Sequence, residues 1–509
     1  MPLMGIDVGT SGTKALILGD DGRLLAHASA PTPLLTPKPL WTEQDPEHWW
    51  DAVGHASRQA LANASLRPAD IRAVGLSGQM HGSVFLDRHG LSGAPALRPA
   101  LLWNDQRTAD FLEPIELAAG GRAELVCRTG NAALTGFQLP KLLWFRHHEP
   151  HLFRNLAAVL LPKDFIRLRM TGVVATDVGD AGGTLALDVH QRRWDTPLLH
   201  ALDLDPALFP PLLESAQIAG ELTANAARHL GLAPGTPVAA GSGDNQCGAV
   251  GAGIVEPGLA LCILGTSGVI FAHANAPTPD LPAGRTHTMP AATGSAGAPG
   301  AWCVTGVMLS AAGSLQWVHE RLFPETPLDV LLAEAWNTSP GCEGLLFLPY
   351  LQGERCPHQD PHARGAFVGL SLRHSRAHLV RAVIEGVSFA LADILHLVAS
   401  LGVPIRSLRV SGGGAKSPQW RQLLADLTQL PVEVPSTPEG GSFGAAILAG
   451  VGAGLWPNVP DACRSLVTAT DPAAPDHRAA DALAPHRQNF RAAYTDLRGR
   501  FHSIAGIHP

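Results

Sequence analysis

Short apolar runs separated by glycine-rich turns open the chain. Leu3–Val8 is the first run, Gly9-Thr10-Ser11-Gly12 a turn, 15–18 a second run, Gly19-Asp20-Asp21-Gly22 a second turn and 24–30 a third run. Runs of this length bounded by Gly, Ser and Asp predict the strands of a β-meander. Residues 49–61 have a helical pattern, and 74–77 form a buried strand that stops at Ser77-Gly78. Further on, Leu379, Val380, Val383, Ile384, Val387, Leu391, Ile394, Leu395 and Val398 recur at helical spacing. They predict a long amphipathic helix opening near Ser375, with Gly402 at its stop. The strand 408–411 then runs into Gly412-Gly413-Gly414, and Ser417 and Pro418 suit the N-cap and first position of the next helix. A last helix is predicted over 485–504.

The two halves echo each other. Gly-Thr-Ser-Gly returns as Gly265-Thr266-Ser267-Gly268, 256 residues after its first occurrence, again between apolar runs (259–264 and 269–272). A strand–turn–strand unit repeated at half the chain length predicts two related domains. The class is α/β, with the junction between 240 and 258 and domains over 1–245 and 246–509.

Composition narrows the functions on offer. The net charge is −7 and no basic run reaches five residues, so nucleic acid is not expected as a partner. The 7 cysteines are scattered with no C-x-x-C pair, which argues for a reducing compartment rather than a disulfide framework. Asp7 interrupts the first apolar run, no basic segment precedes it, and no uninterrupted apolar stretch reaches about 18 residues. Neither a signal peptide nor a membrane span is expected.

The polar residues that stand out lie at strand ends. Asp7 closes the first strand, and the turn Gly9, Thr10, Ser11, with Thr13 and Lys14 behind it, can offer N–H groups and hydroxyls to a phosphate. Asp7 then stands where it could hold Mg²⁺ through water. Gly265, Thr266 and Ser267 form a second such turn without an acid. Gly413 and Gly414 allow close approach of a nucleotide, and the helix behind Ser417 adds N–H donors. Asp244, in Gly241-Ser242-Gly243-Asp244-Asn245, is either a helix cap or a general base for an attacking hydroxyl. Met80 and His81 follow a buried strand, and Trp103-Asn104-Asp105-Gln106-Arg107 is a dense polar group; both suit a polyol. His147-His148-Glu149-Pro150-His151 resembles a metal site in composition only and is expected to be a loop.

Taken together these segments resemble the FGGY carbohydrate kinases over nearly the whole chain, more weakly after about residue 455. The resemblance is carried by Gly5-Ile6-Asp7-Val8-Gly9-Thr10-Ser11, Leu40-Trp41-Thr42-Glu43-Gln44-Asp45-Pro46, Leu102-Trp103-Asn104-Asp105 and Leu161-Pro162-Lys163-Asp164. Ser77-Gly78-Gln79-Met80-His81-Gly82 is similar to the stretch that marks the family's xylulose-phosphorylating members; glycerol-specific members place Arg-Glu at Met80-His81.

The resemblance implies two ribonuclease-H-like, actin-like domains with an interdomain cleft. It implies a cytoplasmic enzyme that uses ATP and Mg²⁺ to phosphorylate the C5 hydroxyl of D-xylulose, in D-xylose catabolism. Asp244 would be the proton acceptor, and Met80, His81, Trp103, Asn104 and Asn245 would contact the sugar. Asp7 would lie near the metal, and Thr266, Gln316, Gly413 and Gly414 would hold ATP. Sugar and ATP are then the partners, with no nucleic acid or membrane, and a homodimer is allowed. A kinase for ribulose, another ketose or a sugar acid would keep Asp244 and differ near Met80 and Trp103. A non-catalytic sugar sensor is the reading from a different class. Cys356, where Thr is usual, and Gly441-Ser442-Phe443-Gly444 depart from the family pattern.

Overall fold

The structure, a computed structural model, describes residues 2–437, 440–470 and 472–506. Two compact units divide the chain, and they interleave. The first comprises Met1–Glu256, His273–Cys303 and Glu439–Val467; the second Pro257–Ala272, Val304–Pro438 and Thr468–Pro509. One cut at 245/246 therefore separates the halves of the sequence but does not by itself describe the packing, because 439–467 returns to the first unit.

The first unit is built on a seven-stranded sheet. Its strands are β1 (Leu3–Val8), β2 (Gly12–Leu18), β3 (Leu24–Pro31), β4 (Val74–Gly78), β5 (Ile218–Glu221), β6 (Pro237–Ala239) and β7 (Ser242–Gly243). They run in the order β5-β6-β4-β1-β2-β3, with β7 also paired to β4. The opening meander is as the sequence predicts: β1–β2 and β2–β3 are antiparallel. The alternation of side chains sets what covers each face. Met4, Ile6, Ala15, Ile17, Val74 and Leu76 pack with Trp49, Val53 and Ala56 of the helix Pro46–Ala64. Leu3, Leu16 and Leu18 pack on the other face with Phe443, Ile447 and Leu448 of the helix Gly440–Gly452.

That second helix lies unusually close to the sheet. A Cβ on Gly75 would stand 1.8 Å from the carbonyl oxygen of Ala445, and one on Gly444 1.8 Å from that of Cys247. Only glycine permits this approach, which presses the helix onto β4 and onto the helix Asp244–Gly251. Gly444→Ala is accordingly expected to destabilise the protein. Helix propensity alone would give a gain of about 1 kcal/mol, while overpacking against backbone costs about 1–3 kcal/mol. Calorimetry should show a lowered Tm; an unchanged or raised Tm would contradict this packing.

The second unit carries the sheet echo. β8 (Gly258–Leu264) and β9 (Gly268–Ala274) form a hairpin around Gly265–Gly268, and β8 pairs in parallel with β10 (Ile405–Ser411). The predicted long helix is Arg376–Ser400, entered from Ser375. By length and mean hydropathy (1.8) it could cross a membrane, but 78% of its apolar stretch is buried inside the fold, as befits a core helix.

Two expectations are corrected here. His147 and His148 end a helix, Gln138–His148, and Pro150 opens a second one, Pro150–Phe153. Pro150 starts that helix instead of breaking one, because its missing N–H is not needed at a first position. The last helix is His477–Ala505, with Pro485 inside it; it begins earlier than predicted, capped by Asp476.

Candidate active site

Strand register assembles the acidic part of the site. β4 lies in parallel between β1 and β7, so Asp7 pairs with Ser77, and Ser77 with Ser242. Three parallel strands thus end together. Their carboxyl ends deliver Asp7, Gln79-Met80-His81 and Asp244 to one edge, where α/β sheets bind ligands. Asp7 accepts a hydrogen bond of 2.7 Å from the Ser77 hydroxyl. Asp244 is the first residue of the helix Asp244–Gly251, with Gly243 as the cap, and its carboxylate accepts from the N–H of Asn245 at 2.7 Å. Burial and then the negative charge of Asp7 push the Asp244 carboxyl up from 3.8 to about 7. A carboxylate so placed can take up a proton near neutral pH.

The expected sugar residues come together beside it. Met80 is buried (3% exposed), and its Sδ lies 3.7 Å from the Asn245 amide nitrogen. His81 is half-buried, with Nδ1 2.7 Å from the Gly183 carbonyl oxygen and its ring edge-on to Phe137. Trp103 remains 41% exposed although its indole N–H donates to the Thr10 hydroxyl at 3.0 Å. Its polar atom is thereby occupied and its flat face left open, which suits a sugar wall. The buried Asn104 Oδ1 has no hydrogen-bond partner within the protein.

The first turn is held from below. Thr10 donates to Gln79 at 3.2 Å, and Gln44 donates to the Thr10 carbonyl at 2.7 Å. Gln44 in turn accepts from Trp49 and Gln79. This explains the segment around Gln44: it fixes the Thr10 turn. Ser11 and Lys14 are exposed.

Two expected residues are placed differently. Thr13 is fully buried, because its parity in β2 puts it with Ala15 and Ile17 on the face covered by the helix Pro46–Ala64, where its hydroxyl has no partner within the protein. Asp105, expected to read a polyol with its neighbours, is instead buried and accepts from Arg107 and from the N–H of Thr42. Arg107 lies over the Trp41 ring, so this pair is structural. Ser417 caps the helix Pro418–Thr428 as the sequence predicts, accepting from the Trp420 N–H and donating to Gln419.

The nucleotide residues gather within the second unit. Because β8 and β10 are parallel, with Ile263 opposite Ser411, the turn at Gly265 and the Gly412–414 segment leave the same sheet edge. The carbonyls of Gly265 and Thr266 accept from the N–H groups of Ala312 and Ala311 at the start of the helix Ala312–Leu322, which fixes the turn. Thr266 and Ser267 are exposed. A cavity of about 340 Å³ is lined by Thr266, Ser310, Gly313, Gln316 and Trp317. The Ser310 hydroxyl is buried without a partner. A Cβ on Gly413 would meet no atom within 4 Å, so its backbone is open to a ligand.

Sequence reasoning passed over a buried charge cluster behind Asp244. Lys163 Nζ lies 2.6 Å from Asp164, 2.8 Å from Asp177 and 3.4 Å from Asp180. Burial works against its charge, but the surrounding carboxylates prevail and raise its pKa. Asp177 accepts from Ser242 at 2.8 Å and so ties β7, the strand that leads into Asp244, to this cluster. The Leu161-Pro162-Lys163-Asp164 segment was visible, but nothing in its spacing indicated three acidic partners.

A raised carboxylate beside a second acid, an exposed aromatic face and a separate cavity beside a glycine turn are parts that phosphoryl transfer to a polar small molecule calls for. Family models for the N-terminal and C-terminal domains of the FGGY family of carbohydrate kinases match residues 3–251 and 260–453. The chain belongs to this family: it is an ATP-dependent carbohydrate kinase with the actin-like fold, and sugar and ATP are its substrates. The xylulose kinase of Escherichia coli (strain K12) is 40% identical over 97% of this chain and 99% of its own length. That of Bacillus subtilis (strain 168) is 36% identical over 96% and 94%. The solved structure of the xylulose kinase from Rhodospirillum rubrum is 30% identical and covers 99% of this chain and 100% of that one, with a TM-score of 0.89.

Proposed function

We propose that this enzyme phosphorylates D-xylulose at its C5 hydroxyl in the cytoplasm, a step of D-xylose breakdown. The observation that carries the substrate is the nearly full-length similarity to proteins named xylulose kinase, at 40% and 36% identity. Met80 and His81 at the sugar-facing edge support it.

Asp244 accepts the proton of the attacking hydroxyl. A base near 7 holds its proton weakly enough to be ionised at neutral pH and strongly enough to draw the hydroxyl proton. Met80, His81, Asn104 and Asn245 bind and orient the sugar against the face of Trp103. Thr266, Gln316 and the Gly413-Gly414 backbone bind ATP, with the N–H groups of the Thr10 and Thr266 turns available to phosphate oxygens.

Mg²⁺ suits the site. A Cβ on Gly441 would lie 3.1 Å from the Asp7 carboxylate, so glycine there leaves a cradle beside the acid. Mg²⁺ is ordinarily held by one or two carboxylates together with phosphates and waters. Asp7 would hold it, and the ion would neutralise charge on the transferring phosphoryl group.

His81→Ala and Met80→Ala are each expected to raise the sugar KM more than the ATP KM; an unchanged sugar KM would remove that residue from the sugar contacts. The product tests the proposal itself. With MgATP and D-xylulose, ³¹P–¹H correlation NMR should place the phosphate on the C5 methylene. Phosphate on another carbon, or no phosphorylated sugar, would overturn it.

A further inference from the structure

The turn that presents His81 is strained. Gly82 N–H donates to the Met80 carbonyl at 2.8 Å, which closes a three-residue turn with His81 at its centre. His81 has φ 65°, in the left-handed region that non-glycine residues avoid. A γ-turn with positive φ at its centre is rare, and such a residue persists only where its surroundings hold it.

One helix supplies the holding groups. Lys141 Nζ donates to the His81 carbonyl at 2.9 Å and to the Gly136 carbonyl at 2.6 Å. Gln138, one turn earlier in Gln138–His148, donates to the next carbonyl of the turn, Gly82, at 3.2 Å. Two side chains at i and i+3 thus grip two successive carbonyls.

A lysine is an expensive choice there. Lys141 is fully buried, and burial draws its pKa down to about 7 against the attraction of Asp105. An apolar chain of similar length would fill the same space without that cost. What the Lys141 nitrogen adds is a donor that reaches the carbonyl of the strained residue and that of Gly136 at once.

We propose that Lys141 is a positioning residue for sugar recognition, holding the backbone of His81 so that the imidazole stays directed at the sugar. The proposal rests on the reading of His81 as a sugar contact, and its test separates the two.

Steady-state kinetics of Lys141→Met, His81→Ala and the double variant provide the test. Loss of the bond from Nζ to the His81 carbonyl should raise the sugar KM of Lys141→Met about tenfold or more, with the ATP KM changed less than about twofold. In the His81→Ala background the same substitution should add nothing, since its effect passes through His81. Should Lys141→Met fail to fold, Lys141→Gln, whose shorter side chain cannot reach both carbonyls, is expected to show the same selective rise. An unchanged sugar KM for the lysine variants beside a raised one for His81→Ala would overturn the role of Lys141 alone. A full additional rise in the double variant would also overturn it, as would an equal rise in the ATP KM. An unchanged sugar KM for His81→Ala would overturn the reading of His81 and this role with it.

Discussion

Asp244→Asn is expected to lower turnover by at least about 10²-fold, the lower end of what a positioned general base contributes, without loss of fold. The amide keeps the size of the carboxylate and cannot take the hydroxyl proton. The stability side follows from the raised pKa. A carboxyl shifted from 3.8 to about 7 on folding contributes stability below its ordinary value, and this is lost as pH rises through about 7. At pH 8 the wild-type protein carries an ionised carboxylate close to Asp7, and the variant does not. Its Tm at pH 8 should therefore equal or exceed that of the wild type. Near-normal turnover would remove Asp244 from the role of base; a sharply lowered Tm would make it a structural acid.

Asp7→Asn should have an effect of similar size for two reasons. It weakens the hold on Mg²⁺ and so the neutralisation of the phosphoryl group, which should lower turnover by about 10²-fold or more. It also removes the charge that, after burial, does most to raise Asp244. The base works when ionised, so wild-type kcat/KM for the sugar should rise with pH through about 7 at subsaturating MgATP. In the residual activity of Asp7→Asn that rise should move to lower pH, because the neighbouring repulsion is gone. Glu would not serve as a control, since it keeps the charge. An acid limb that stays in place would show that Asp7 does not act on Asp244, whatever happens to turnover.

What was legible in the sequence was local. Apolar runs and glycine turns fixed β1 to β3, the hairpin around Gly265 and the helix entered at Ser375, because these depend on neighbours in the chain. The position of Asp244 at a helix start was legible for the same reason, and its resemblance to a family suggested its task. Its pKa was not, since that depends on burial in the fold and then on Asp7, 237 residues away in the chain. Thr13 was misplaced because a turn motif does not say which residues of the following strand face a covering helix. Asp105 looked like a ligand until Arg107 and Thr42 claimed its oxygens. Lys141 gave no signal at all: its partners are backbone carbonyls, which every residue has. The helix Gly440–Gly452 was invisible as part of the first unit, because the close approach it makes, to Gly5 through Ser442 and to Gly75 through Ala445, joins positions far apart in the chain.

ADP release with ATP and Mg²⁺ should be measured against D-xylulose, D-ribulose, L-ribulose, L-xylulose, glycerol, gluconate and no sugar. The expected result is a clear preference for D-xylulose, with little ADP formed in the absence of sugar. Preference for another sugar would leave the kinase and Asp244 in place and contradict the substrate reading of Met80 and His81. Silence across the panel from protein that still binds ATP would contradict the catalytic account and favour a sugar sensor.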